Sequence, residues 1–239
     1  MNYSNLFIFA ILALLGLLVP VILLVFSFNT VVFNENFYKN EFLKYKVYAH
    51  LTDYDVEKIN NGVLFYLKGQ KNNELIASSF FNNREKQHLL DVKGLIAKLL
   101  FVYKFSIFLF FLLFLGLCFL FNFKFRKILE KFLLSLFFGS LLLLTVGISL
   151  FFLWNSDFYF IFDAFHENFF KAGTFSFDPN FEKIVVLYQE NLFFDTLSKI
   201  LLKSILSSAI ISLLVFSAFP KIFGVGIFKI ISKNFRRKA

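Results

Sequence analysis

Four uncharged apolar runs, each long enough to cross a bilayer as a helix, constrain this chain more than any other feature. The first covers residues 6–28, which is 23 residues without Asp, Glu, Lys or Arg. As a helix it would be about 35 Å long, against roughly 30 Å of bilayer hydrocarbon. The others cover 105–123, 132–154 and 204–220, the last flanked by Lys203 and Lys221, whose side chains can reach the head groups. The first run reads as an uncleaved signal anchor, because no Lys or Arg precedes it and no small-residue cleavage site follows. Pro20 inside it predicts a kink. The expected fold is an all-α membrane protein with four transmembrane helices, one integral membrane domain over residues 1–239.

Composition agrees. Hydrophobic residues make up 58% and charged residues 17%, whereas a soluble domain has roughly 25% charged residues. This excludes a disordered chain and an ordinary soluble enzyme. The 41 Phe residues read first as lipid-facing bulk.

Charge sets the expected orientation. The loop 124–131 holds four basic residues against Glu130, and the tail 221–239 holds six and no acids. By the positive-inside rule both are cytoplasmic, as are both termini. Residues 29–104 and 155–199 then lie outside, at nets of +3 and −4. Most of the total of +9 is thus a topology signal toward anionic inner-leaflet lipid, and nucleic acid drops out as a partner. Loops this long carry structure or function of their own, so two helical extracytoplasmic segments are expected, and any chemistry with them.

In the first segment, Thr52 ahead of Asp53-Tyr54-Asp55 reads as a helix N-terminus, with the helix running through Asp55–Leu67 and ending at Gly69. A turn is expected at 70–73. Asn82 with Glu85 has the spacing of a capping box, opening a helix that continues into the second span. Glu85, His88 and Asp91 then share one face. Two carboxylates beside a histidine would orient it and make it more basic; alternatively this is a solvated amphipathic helix. In the second segment, Asp163 and His166 are again spaced i, i+3, among Phe residues. Alone, His166 reads best as a residue of an interfacial aromatic belt. A break is expected at 172–180, with a turn at Asp178-Pro179-Asn180, and a helix from Asn191 into the fourth span.

Two histidines with carboxylate neighbours on one side of a membrane suit general acid–base work. His50 lacks such company and reads as surface. No spacing among the three histidines is ligand-like, so no metal is expected. The single Cys118 lies mid-span as a small hydrophobe. Gly116, Gly139 and Gly147 would allow close helix packing.

The runs Leu64-Phe65-Tyr66-Leu67 and Glu85-Lys86-Gln87-His88-Leu89-Leu90-Asp91-Val92-Lys93 are similar to those of the bacterial lipoprotein intramolecular transacylases. Phe165-His166-Glu167-Asn168-Phe169-Phe170, then Phe177-Asp178-Pro179 and Leu192-Phe193-Phe194, resembles that family's second motif. The resemblance covers nearly the whole chain; it departs at Phe175, where the family carries Trp, and at Glu182, where it tends to Asp. It implies a diacylated bacterial lipoprotein as substrate. The sn-2 acyl chain moves from the glyceryl group to the α-amine of the N-terminal Cys, giving an N-acyl lyso-lipoprotein with no cofactor.

On this reading His88 and His166 are catalytic, one as base and the other as acid or oxyanion donor, with the roles unassigned. Glu85, Asp91 and Asp163 would orient them, and Lys93 or Tyr66 would contact the ester oxygen or head group. Phe165, Phe169 and Phe170 would line an acyl-chain site. The implied location is the bacterial cytoplasmic (inner) membrane, with membrane lipid as surroundings and the site on its outer face. Two rivals stand beside it: a non-catalytic lipid-binding or accessory membrane protein, and a metal-dependent lipid hydrolase using His50, His88 and His166.

Overall fold

A computed structural model describes residues 3–70, 79–170 and 174–223, with side chains described at 5–70, 79–170 and 174–218. The tail beyond 223, residues 71–73 of the expected turn, and Ala172 and Gly173 of the expected break lie outside the described residues. The described chain is helical: α1 Tyr3–Val32, α2 Glu35–Lys44, α3 Val47–His50, α4 Val56–Leu67, α5 Asn83–Leu120, α6 Phe125–Ser156, α7 Phe158–Phe169, α8 Ile184–Leu187 and α9 Glu190–Phe223. Four of these, α1, α5, α6 and α9, are long and apolar enough to cross a membrane. Helix α1 continues through Pro20 without a break.

At 38 residues, α5 is about 57 Å long, far more than a bilayer core requires. Its first 22 residues, to Lys104, carry charges, and the uncharged run begins at Phe105. The first turns of α5, including His88, therefore precede its uncharged run.

The chain forms two compact units. One holds residues up to Leu24, Lys104–Ile148 and the chain from Lys203. Its core gathers Ile11 and Leu15 of α1, Leu117 and Cys118 of α5 and Ile128 of α6. Glycine matters at a close approach of α1 and α6: a Cβ on Gly139 would strike the Gly16 carbonyl and come within 2.8 Å of Val19 Cβ. A Cβ on Gly147 would meet Ile205 Cγ1 at 3.0 Å, but Gly116 has nothing within 4 Å and makes no such contact. Ser140 and Ser212 share a hydrogen bond of 2.8 Å between α6 and α9. Phe7, Phe9, Phe108, Phe111, Phe119 and Phe138 are exposed, as lipid-facing bulk would be.

The other unit holds Val25–Tyr103 and Ser149–Leu202. Its short helices begin where side chains satisfy first-turn N–H groups. Asn34 accepts from Phe37 N, Asp55 from Lys58 N at 3.0 Å and Asp157 from Phe160 N at 3.2 Å. The expected helix Asp55–Leu67 is observed with Asp55 as its cap. The helix ends as expected, with Gly69 at φ +89°, a conformation glycine adopts without strain. Trp154, Phe158 and Leu201 form one core cluster of this unit. Its polar sequence ends fold back on themselves as read: Asp178 takes Asn180 N on its side chain and Phe181 N on its carbonyl.

Candidate active site

The second unit contains a cavity of about 910 Å³, and both His88 and His166 are on its wall. Three local structures put them there. Helix α5 opens with a reciprocal capping box: Glu85 N donates to Asn82 Oδ1 at 2.9 Å and Asn82 N to Glu85 Oε2 at 2.6 Å. His88 follows one turn later. Helix α7, started by Asp157, carries His166 in its last turn. The segment 174–183, with no helix of its own, brings Phe175 to His166 (ring centroids 5.6 Å apart) and Phe177 edge-on to His88 (5.3 Å).

The two imidazoles are nearly parallel, 18° between planes, with centroids 6.5 Å apart. Phe170 packs against both, at 4.7 Å from His88 and 5.5 Å from His166. The site is thus a histidine pair within an aromatic wall.

The two rings differ in their surroundings. His166 Nδ1 is 2.7 Å from the carbonyl of Phe162, one turn back on its own helix. A carbonyl only accepts, so Nδ1 carries the hydrogen and, in the neutral ring, Nε2 keeps its lone pair. The expected orienting carboxylate is replaced by backbone: Asp163 is on the cavity wall but is exposed and does not hold the ring. His88 is buried, and its Nδ1 has no hydrogen-bond partner among the described residues. Burial pushes its pKa down from 6.5 to about 4, with the neighbouring His166 adding to the fall and Asp91 opposing it. This reverses the expectation of a more basic His88. One half-buried carboxylate does not offset the loss of water around the imidazolium.

Glu85 does not orient His88. Its second oxygen accepts from the buried Ile184 N at 2.7 Å, so the carboxylate joins the starts of α5 and α8. Asp91 accepts from Gln87 at 3.2 Å and acts on His88 through charge. Lys93 lies with its ammonium 3.8 Å over the Tyr66 ring, and neither residue is on the cavity wall. Phe165 and Phe170 are on it. Phe169 is not; it stays exposed against Phe165, at 4.8 Å. The acyl-lining expectation is corrected at that position, where the ring is left exposed outside the cavity wall. His50 ends α3, exposed.

Sequence reading missed Arg84 and Glu182, which pair at 2.8 Å across 98 positions of chain. It also missed Tyr38 and Tyr188, which line the cavity; the Tyr188 hydroxyl donates to the buried Asn60 at 3.0 Å. Burial raises the pKa of both tyrosines, so both stay protonated donors.

Residues 13–194 match the family model described as lipoprotein intramolecular transacylase Lit. The chain belongs to the Lit family. It is therefore a membrane-integral acyltransferase that acts within a lipoprotein substrate. The fold agrees with solved structures of the membrane-integral Lit from Bacillus cereus. One is 20% identical with a TM-score of 0.75, covering 94% of this chain and 99% of that one. Two further structures of the same protein, each with one histidine replaced, by Arg in one and Ala in the other, are both 19% identical. Their TM-scores are 0.72 and 0.74; they cover 95% and 92% of this chain and each covers 96% of its own. No curated protein sequence matches significantly.

Proposed function

We propose that His166 is the general base of the Lit reaction in this chain and that His88 is its neutral partner. The substrate is a diacylated lipoprotein at the outer face of the bacterial cytoplasmic membrane. The observation that carries this reading is the pair of stacked imidazoles on one cavity wall, with His166 Nδ1 anchored to a carbonyl and Nε2 left with its lone pair.

The α-amine of a lipidated cysteine has a pKa near 8 and arrives mostly as an ammonium. Asp163, a carboxylate on the wall beside His166, draws it in. His166 Nε2 removes a proton, and the freed nitrogen attacks the sn-2 ester carbonyl, giving a tetrahedral oxyanion. His88 stays uncharged at neutral pH and donates a hydrogen bond to that oxyanion. The C–O bond to glycerol breaks as the imidazolium of His166 returns its proton to the leaving oxygen. The second ammonium proton goes to solvent, and the products are an amide and a glyceryl hydroxyl. Amine and ester belong to one molecule, so holding both in one cavity removes the cost of bringing them together. The phenyl wall excludes water, which would divert the ester to hydrolysis.

The basic loop 124–131 and tail 221–239 support this sidedness, with the termini cytoplasmic and the histidine-bearing segments outside. The test is purified protein acting alone on a synthetic diacylated lipopeptide whose sn-2 chain is deuterated. Mass spectrometry should find the deuterated chain on the cysteine nitrogen and no free fatty acid. Release of free acid, or no reaction without a second protein, overturns the reading.

A further inference from the structure

The first turn of α5 does more than start a helix. Arg84 and His88 are spaced i, i+4, so they occupy one face a turn apart. Arg84 donates from Nη1 to Glu182 Oε1 at 2.8 Å and from its other Nη to the carbonyl of Ser176. Its guanidinium also lies 5.0 Å over the ring of Phe177, the ring that meets His88 edge-on. Glu182 is buried, and its second oxygen takes the N–H of Asp178 at 2.8 Å. One guanidinium thus holds a backbone carbonyl, a carboxylate and an aromatic face of a single strap, residues 174–182. Among the described residues of the strap only the turn at Asp178 is held by backbone bonds, Phe181 N and Glu182 N to the Asp178 carbonyl, so residues 175–177 depend on side chains, and a planar fork of donors holds them where an ammonium would not.

We propose that Arg84 is a positioning residue of the acyl-transfer site, clamping the strap through Glu182 and Ser176 so that Phe177 and Phe175 stay packed on the two histidines. The proposal rests on the reading of those histidines as the catalytic pair. With the clamp intact, the strap keeps water off His88 and fixes both rings for attack. With it broken, Phe177 swings away, His88 becomes hydrated and the reacting atoms lose alignment. Displacements of about 1 Å cost up to roughly 100-fold in rate, so the loss falls on kcat and leaves KM for the lipopeptide nearly unchanged.

The titratable groups whose charge bears on His88 are His166 of α7 and Asp91 of α5; on the strap, Glu182 is paired with Arg84. The experiment uses the full chain in detergent, with Arg84→Gln, Arg84→Lys and Phe177→Ala, and two readouts. The first is NMR titration of isotope-labelled histidine in the resting protein, with the His88 signal assigned by its loss in His88→Gln. The expected result is that His88 titrates closer to an ordinary imidazole in both Arg84 variants and in Phe177→Ala. Combining Arg84→Gln with Phe177→Ala should add little more, because both break one contact chain. The second readout is kcat, expected to fall by about 10- to 100-fold in Arg84→Gln. An unchanged His88 titration and kcat in Arg84→Lys and Arg84→Gln, even with a lower melting temperature, overturns the proposal. If instead the titration moves but His88→Ala and His166→Ala remain fully active, it is the catalytic reading that fails.

Discussion

Acidification should destabilise this protein through one buried imidazole. Folding holds His88 near pKa 4 against its ordinary 6.5, chiefly by removing water from around it. The unfolded chain then binds a proton at that position that the folded chain refuses. Stability from this group is complete above about pH 6.5 and is lost as pH falls through 6.5 toward 4. Integrating between pH 7.5 and pH 5 gives a loss of about 2 kcal/mol. For a chain of this size each kcal/mol shifts the melting temperature by about 2–4 °C, so the loss corresponds to about 4–8 °C. Other groups titrate in the same range, so the comparison is with His88→Gln, which keeps a polar side chain but cannot titrate. Thermal melting in detergent at pH 7.5, 6.5, 5.5 and 5.0 is the assay. The gap between wild type and variant should narrow by that amount as pH falls. Parallel melting curves at every pH would refute the argument that burial dominates His88.

Three further outcomes follow from named contacts. Glu85→Ala orphans the Asn82 and Ile184 N–H groups, the second of them buried, and should cost about 2–5 kcal/mol; a melting temperature within 1 °C of wild type contradicts the double cap. Gly139→Ala forces a methyl against the Gly16 carbonyl and Val19, at about 1–3 kcal/mol, whereas Gly116→Ala meets no neighbouring atom and should be neutral or stabilising. His50→Ala, exposed at the end of α3, should leave the transfer rate within about twofold of wild type, as surface substitutions away from a site do.

The parts of this fold written in local patterns were readable in advance. Uninterrupted apolar runs located the four long helices, and the three-residue spacing of Asn82 and Glu85 located the start of α5. The two histidines were found because carboxylates and aromatics surround them in sequence. What those carboxylates do was not readable. Glu85 turns to Ile184 N, 99 positions away, and Asp163 yields the His166 ring to a backbone carbonyl. Neither contact leaves a periodic trace. The same holds for Arg84 with Glu182, and for Lys93, which settles over Tyr66 instead of the cavity. The direction of the His88 shift depends on burial by Phe170 and Phe177, which arrive from another segment. Local spacing named the carboxylates; only packing shows that desolvation outweighs them.

The most direct test of the catalytic pair is the acyl migration itself, followed by mass spectrometry with a diacylated lipopeptide and purified His88→Ala and His166→Ala variants shown to be folded. Loss of a positioned general base costs about 10²- to 10⁴-fold. The account predicts that His166→Ala falls into that range and that His88→Ala is also strongly impaired, with neither releasing free fatty acid. Transfer at the wild-type rate in the folded His166→Ala protein would contradict it.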